Sequence, residues 1–383
     1  MGKGGSSDMK PVRTSLSATI PQPSKEITKR SVRDSIPAHL FERRYTTSFF
    51  HLGLDLLTCV VSVVVLQAVL PQLHAVCVPF AWLAYWMYQG INFTALWVLA
   101  HECGHGGFTN SRVVNDIVGW VLHSGLLTPY FSWALTHAKH HHYTNHMTEG
   151  ETWVPSSASP DKPAVKFAKT PYGTAQRILA VFLVGWYMYL LKNETGARQN
   201  KGQSHFSPSS KALFKPKDKP FVLASNAGML IMLAVLAAVV SKQGFLTVFL
   251  VYGMPQVICN FYLCSITYMQ HTHADVPHFE GEDWTWLRGA LSTIDRSMGP
   301  WVDSKLHHIC DSHVVHHLFS EMPFYGAKAA TPYVKAHLGV YYKSCLESRW
   351  AGSEYLGYWR DFYQNMRTAV VVGKGEDGFM WFR

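Results

Sequence analysis

Three short stretches concentrate histidine: HECGH at 101–105, HAKHH at 137–141 and HVVHH at 313–317. Histidine is 21 of the 383 residues, so random scatter would not produce this local density. On a helix, positions i, i+3 and i+4 share one face, with Cβ atoms about 5–6 Å apart. His101 and His105 then point the same way. His137 can join His140 and His141, and His313 can join His316 and His317. Imidazole serves iron, copper and zinc alike as a ligand. Eight converging imidazoles exceed the four ligands of one zinc, and they suit two metals. A single HxxxH is as readily structural as functional. Three clusters at corresponding membrane ends call for a metal.

The elements around the clusters are apolar. The chain is 48% hydrophobic and only 15% charged, against roughly 25% charged in soluble proteins. FFHLGLDLLTCVVSVVVLQAVL (49–70) and VCVPFAWLAYWMYQGINFTALWVLA (76–100) each reach the ~20 residues a bilayer crossing needs. They predict one transmembrane hairpin, turned at PQLHA. FVLASNAGMLIMLAVLAAVV (221–240) and FLTVFLVYGMPQVICNFYLCSITYM (245–269) predict a second, turned at SKQG. DIVGWVLHSGLLTPYF (116–131) is too short to cross and reads as re-entrant or interfacial. ILAVFLVGWYMYLL (178–191) also reads as interfacial. His51 and Asp55 lie near the start of the first span, where they are expected to reach the interface. The aromatics Trp82, Tyr85, Trp86 and Tyr88 read as belt and packing residues.

The expected fold is therefore an all-α integral membrane protein. Two helical hairpins (four spans) and interfacial or re-entrant helices carry a cytosolic histidine-rich cap over a di-metal site. Lys25, Lys29, Arg30, Arg33, Arg43 and Arg44 precede the first span, while PQLHA has no Lys or Arg. The positive-inside rule then places both termini and the long polar regions in the cytosol. Residues 1–34 read as a disordered tail, 35–340 as the membrane domain and 341–383 as a C-terminal tail. The net charge of +9 suits an anionic membrane face. No basic stripe on a soluble fold supports nucleic acid as a partner. Seven cysteines, an odd number without a CxxC pair, read as reduced thiols. The N-terminus shows no apolar segment of a cleaved signal, and its Gly2 is a weak match to a myristoylation motif.

The chain resembles the membrane fatty acid desaturases, specifically the oleate Δ12 branch. The likeness rests on SIPAHLFER (35–43), PYFSWALTHAKHH (129–141), TYMQHTHADVPHFEGEDWTWLRGALSTIDR (267–296) and HVVHHLFSEMPFYGAKAAT (313–331), and it spans roughly residues 35–340. The resemblance implies a non-haem di-iron centre held by the eight box histidines, with O2 as co-substrate. It also implies at least one further histidine from the end of the last span: His271 first, with His273 and His308 as the other candidates. Glu102 and Asp311 flank the boxes and could orient ligands by hydrogen bonding; equally they could be solvated charges. His142 and His146 read as surface or supporting residues. His39, His51, His74, His123, His205 and His337 read as structural. Gly106 and Gly107 stand where most relatives have His or Gln and then a small residue, which is expected to loosen the end of the first box.

The implied reaction is the conversion of oleoyl to linoleoyl chains, on phospholipid or CoA, in the endoplasmic reticulum membrane. The acyl chain is expected to thread between the two hairpins. No HPGG of a fused haem domain is present, so a separate cytochrome b5 and its reductase are the expected electron donors. A homo- or hetero-dimer is compatible with this picture. The aromatic ending GFMWFR resembles retrieval signals of this family; the alternative is an interfacial tail. Other readings are an ω3 or bifunctional desaturase, a hydroxylase or conjugase on the same scaffold, a sterol or alkane oxygenase, and a metal transporter. A transporter would need ionisable groups at the middle of its spans.

Overall fold

Inside a bilayer no water pairs with the backbone, so apolar runs must satisfy their own amides as helices. The computed structural model describes residues 23–346 and 348–383, and it is built this way. In chain order the elements that position the clusters are α1 (Tyr45–Val69), α2 (Val78–His105), α3 (Arg112–Gly125) and α4 (Tyr130–His142). Then come α5 (Pro171–Ala180), a π turn (Val181–Gly185), α6 (Trp186–Lys192), α7 (Lys219–Gln243) and α8 (Met254–His271). The cap is completed by α9 (His313–Leu318), α10 (Phe324–Leu338), α11 (Glu354–Thr368) and a two-stranded antiparallel hairpin of β1 (Val372–Lys374) and β2 (Met380–Phe382).

Helix α2 is the axle. It packs against α1, α3 and α8. Its approach to α8 is close because Gly90 has no side chain: a Cβ there would lie 2.4 Å from Ile258 Cγ2. At the far end Tyr85 Oη and Trp86 Nε1 donate to the carbonyls of Val251 and Leu250, each at 2.8 Å. The two expected hairpins are therefore packed on each other through α2 and α8.

Four stretches are long and apolar enough to cross a membrane: Tyr45–Gln72, Pro171–Lys192, Pro216–Gln243 and Phe245–His271. Helix α2, at 28 residues, is also long enough, and α1, α3 and α8 bury most of it. The stretch Pro171–Lys192 is tied to the cap at two points. Arg177 Nη1 donates to Met366 O at 2.5 Å. At the other end the Leu190 carbonyl meets His205, whose Nε2 lies 3.1 Å from Thr136 Oγ1 just before the second box. These two contacts hold the stretch against the cap side of the fold.

Three expectations need correction. Asp55 does not reach the interface. It is 2% exposed and accepts from Lys305 Nζ and His307 Nε2, each at 2.6 Å. The N-terminal segment 1–34 is not structureless where it is described. Thr28 and Ser31 form a capping box on Lys29–Asp34, and Val32 is fully buried against the cluster around Leu318 and Val334; residues 1–22 lie outside the described residues. The stretch 341–383 is not a loose tail either. The hairpin pairs with His278 through Met380, and Phe379 and Met380 are buried.

Candidate metal centre

Each box sits at a helix end on the cap side. The first closes α2. Gly106 takes a left-handed conformation (φ +74°), and its N–H bonds the Cys103 carbonyl at 3.0 Å, the usual use of glycine just past a helix. A Cβ on Gly107 would stand 3.1 Å from Glu102 Oε2. The glycine pair thus closes and packs the helix end instead of loosening it. The second box is the last turn of α4, and the third is α9. Asp295 Oδ1 accepts from the Val314 amide at 2.8 Å and fixes the start of α9.

The imidazoles converge in two groups. One nitrogen each from His101, His105, His137, His141 and His316 lies within 4.8 Å of the others, and the same holds for His140, His271 and His317. His313 joins the second group, with its Nε2 3.1 Å from that of His271. The rotation of the helix ends divides each HxxHH between the two groups. In the second box His137 and His141 (i, i+4) face one group and His140 the other. In the third, His313 and His317 face the second group and His316 the first. The second and third boxes thereby bridge both groups, while the first gives His101 and His105 to one group alone.

Several contacts in these groups are unfavourable without a cation. Nε2 atoms face each other at 3.0 Å (His101–His137), 3.2 Å (His137–His141) and 3.1 Å (His140–His271). A facing pair can share only one proton. Nε2 of His105, His316 and His317 is buried without a partner. Burial lowers the pKa of His137, His141, His313, His316 and His317 well below the usual imidazole range, and that of His140 to about 3. The rings are therefore neutral, the form that coordinates a metal. The donor set fits two cations.

The opposite ring nitrogens are partly held. Glu102, 2% exposed, places Oε1 3.2 Å from His101 Nδ1 and 3.9 Å from His316 Nδ1. Thr144 Oγ1 lies 3.1 Å from His317 Nδ1. Such contacts set tautomer and ring orientation. Thr144 and Asp295 escaped sequence reasoning. Thr144 is one helical step beyond His141 and could have been found that way; Asp295 carries no spacing signal.

Other candidates stand apart. His273 lies past the end of α8, and its Nδ1 accepts from the Asp275 amide at 3.1 Å. His307 and His308 both have left-handed backbones, and His308 Nδ1 turns to Asp311 at 3.1 Å. Neither His273 nor His308 is in either group, because the chain after each helix end points the ring elsewhere. Asp311 pairs with His308 and Lys328, not with a box histidine. His142 meets Tyr143 edge-on, and His146 Nδ1 accepts from the amides of Thr148 and Glu149. Buried His123 packs on Trp97 and Trp133.

Beside the two groups lies a cavity of about 60 Å³, walled by α2, α4, α6 and α8. Trp97, Trp133, Trp186, Leu263 and Ile266 make its surface largely apolar, while His101, His137, His140, His271 and His313 form one end. An apolar wall next to a metal-compatible cluster suits a substrate without charge at its reacting atoms.

The fatty acid desaturase family model matches residues 79–349. An omega-6 fatty acid desaturase, endoplasmic reticulum isozyme 1, of Glycine max is 35% identical, covering 95% of this chain and 92% of its own. A Delta(12)-oleate desaturase of Trichosanthes kirilowii is 39% identical over 85% and 87%, respectively. A Delta(12) fatty acid desaturase of Mortierella isabellina is 38% identical over 83% of each chain. Likeness at this level runs through the spans, the boxes and the cap together, and by it this membrane protein belongs to the fatty acid desaturase family of oxidoreductases.

Proposed function

We propose that this desaturase places a cis double bond at the Δ12 position of oleoyl chains, giving linoleoyl lipids, in the endoplasmic reticulum membrane. The names of its plant and fungal relatives support the regiochemistry, and one of them supports the compartment. The observation that carries the chemistry is the apolar cavity ending on two adjoining imidazole groups. His101, His105, His137, His141 and His316 would hold one iron; His140, His271, His313 and His317 would hold the other. Bound iron, with O2, two electrons and two protons, supplies the oxidant that takes one hydrogen from each of two adjacent methylenes and releases water. No side chain is basic enough to do this alone, which is why a redox centre is required.

The chain's own residues prepare the site. Glu102 and Thr144 orient rings through Nδ1. The three tryptophans exclude water from the reacting stretch. Asp295 sets the start of α9, and so the aim of three imidazoles. Cytochrome b5 is the proposed donor, attracted to a cytosolic face on a chain of net charge +9. The acyl carrier is a phospholipid or CoA.

The test is expression in a yeast that makes oleate but no polyunsaturates, with fatty acids resolved by gas chromatography. New linoleate that disappears in His140→Ala at equal protein abundance supports the proposal. A hydroxylated, conjugated or trans product would move the chemistry to another outcome on the same scaffold.

A further inference from the structure

The cavity at the histidine groups has a neighbour. A second cavity, of about 460 Å³, lies between the stretch 171–192 and the C-terminal segment. Trp153, Gly185 and Thr195 line both cavities. The outer cavity has two kinds of wall. Val181, Val184 and Met188 form an apolar side, and Val184 and Met188 also lie exposed on the outer face of this stretch. Arg177, Ser156, Glu194 and Lys201 form a polar side. A chain entering from the bilayer would meet such an amphipathic mouth before it met the histidines.

We infer that Trp153 and Gly185 form the neck through which the substrate's acyl chain passes from this lateral mouth to the metal centre, and that their size sets which chains pass and how far. The inference rests on the desaturase reading above and deepens it. Three observations support it. Gly185 closes the π turn Val181–Gly185, a helix irregularity that recurs at functional sites. The turn places a residue without a side chain against α8: a Cβ on Gly185 would touch Cys264 Sγ and Val181 Cγ1, each at 3.4 Å. Trp153 has a left-handed backbone (φ +54°), a conformation that is costly for a bulky residue. It is held there by the Val154 amide on the Thr195 carbonyl at 2.9 Å and by edge packing on Tyr268, with centroids 4.9 Å apart. The indole is thereby fixed across the passage.

Yeast that supplies both palmitoleoyl and oleoyl chains provides the test. Gly185→Leu is expected to lower both diene products at least ten-fold at wild-type protein abundance and metal content. Trp153→Ala is expected to change the ratio of C16 to C18 dienes at least two-fold. A merely structural role for Trp153 would lower both products in proportion. Should Gly185→Leu fail to accumulate, a diazirine-bearing oleate on the wild-type protein gives a readout that needs no variant. Photolabel within 153–156 or 181–188 supports the neck; label confined to α1 or α7 overturns it. Unchanged products in both variants also overturn it. If the wild-type enzyme makes no diene yet the photolabel falls at the neck, the Δ12 reading fails and the passage stands.

Discussion

Asp55→Ala is expected to destabilise the enzyme by about 3–5 kcal/mol, the range for removing one partner of a buried ion pair. The carboxylate lies in the third turn of α1 and accepts from Lys305 Nζ and His307 Nε2 at 2.6 Å each. Each such charge-assisted bond contributes roughly 1.5–3 kcal/mol. Part of the loss is offset, because the Lys305 side chain is 14% exposed and keeps Thr58 Oγ1 at 3.0 Å. His307, 3% exposed, has no such outlet. The pair also has a functional consequence. Lys305 and His307 open the loop that leads to His313, His316 and His317, so losing the anchor releases α9. Thermal unfolding of the detergent-solubilised protein, followed by size-exclusion chromatography, should show a midpoint lower by roughly 6–10 °C, at about 2 °C per kcal/mol. Bound metal should fall with it. Asp55→Asn combined with Lys305→Met should be at least about 1 kcal/mol more stable than the sum of the two single changes, because it removes both charges together. A midpoint for Asp55→Ala within 2 °C of wild type, with metal content unchanged, would refute the reasoning (about 1 kcal/mol on the same scale).

Three further outcomes are expected. His105→Ala and His317→Ala should each lose about one of two metal equivalents by elemental analysis, since they belong to different groups, while His273→Ala and His308→Ala retain both. Gly90→Ala should cost about 1–3 kcal/mol through overpacking against Ile258, read as a lower unfolding midpoint at equal expression. His205 is buried between Thr136 and the Leu190 carbonyl, and burial lowers its pKa from 6.5 to about 4. The unfolded chain therefore takes up a proton near pH 6.5 and the folded chain does not, so stability is lost as pH falls from 6.5 to 4, by up to about 3 kcal/mol. His205→Gln should flatten that part of the midpoint-against-pH curve; an unaltered slope would place the titration elsewhere.

Much of this protein is legible in its residues. The lengths of the apolar runs determine that helices cross a bilayer, because a bilayer offers the backbone no other partner. The i, i+3, i+4 spacings determine that each box presents its imidazoles together. These are local properties, and local geometry suffices for them. His271 is a candidate through the family resemblance, which implies a further histidine at the end of the last span.

Other features were decided only by the fold. Spacing could not say that His140 parts from His137 and His141, or that His316 parts from His313 and His317, because that depends on how three helix ends are rotated about a shared point. Asp55 looked like an interfacial residue, since its partners lie some 250 positions away, at the end of a short helix (Lys305) and in the loop after it (His307). Gly106 and Gly107 looked like a loosened helix end until the left-handed turn and the packing against Glu102 were in view. The neck at Trp153 and Gly185 belongs to the same class. A residue type records what a side chain can do, and only packing in three dimensions determines which atoms it meets.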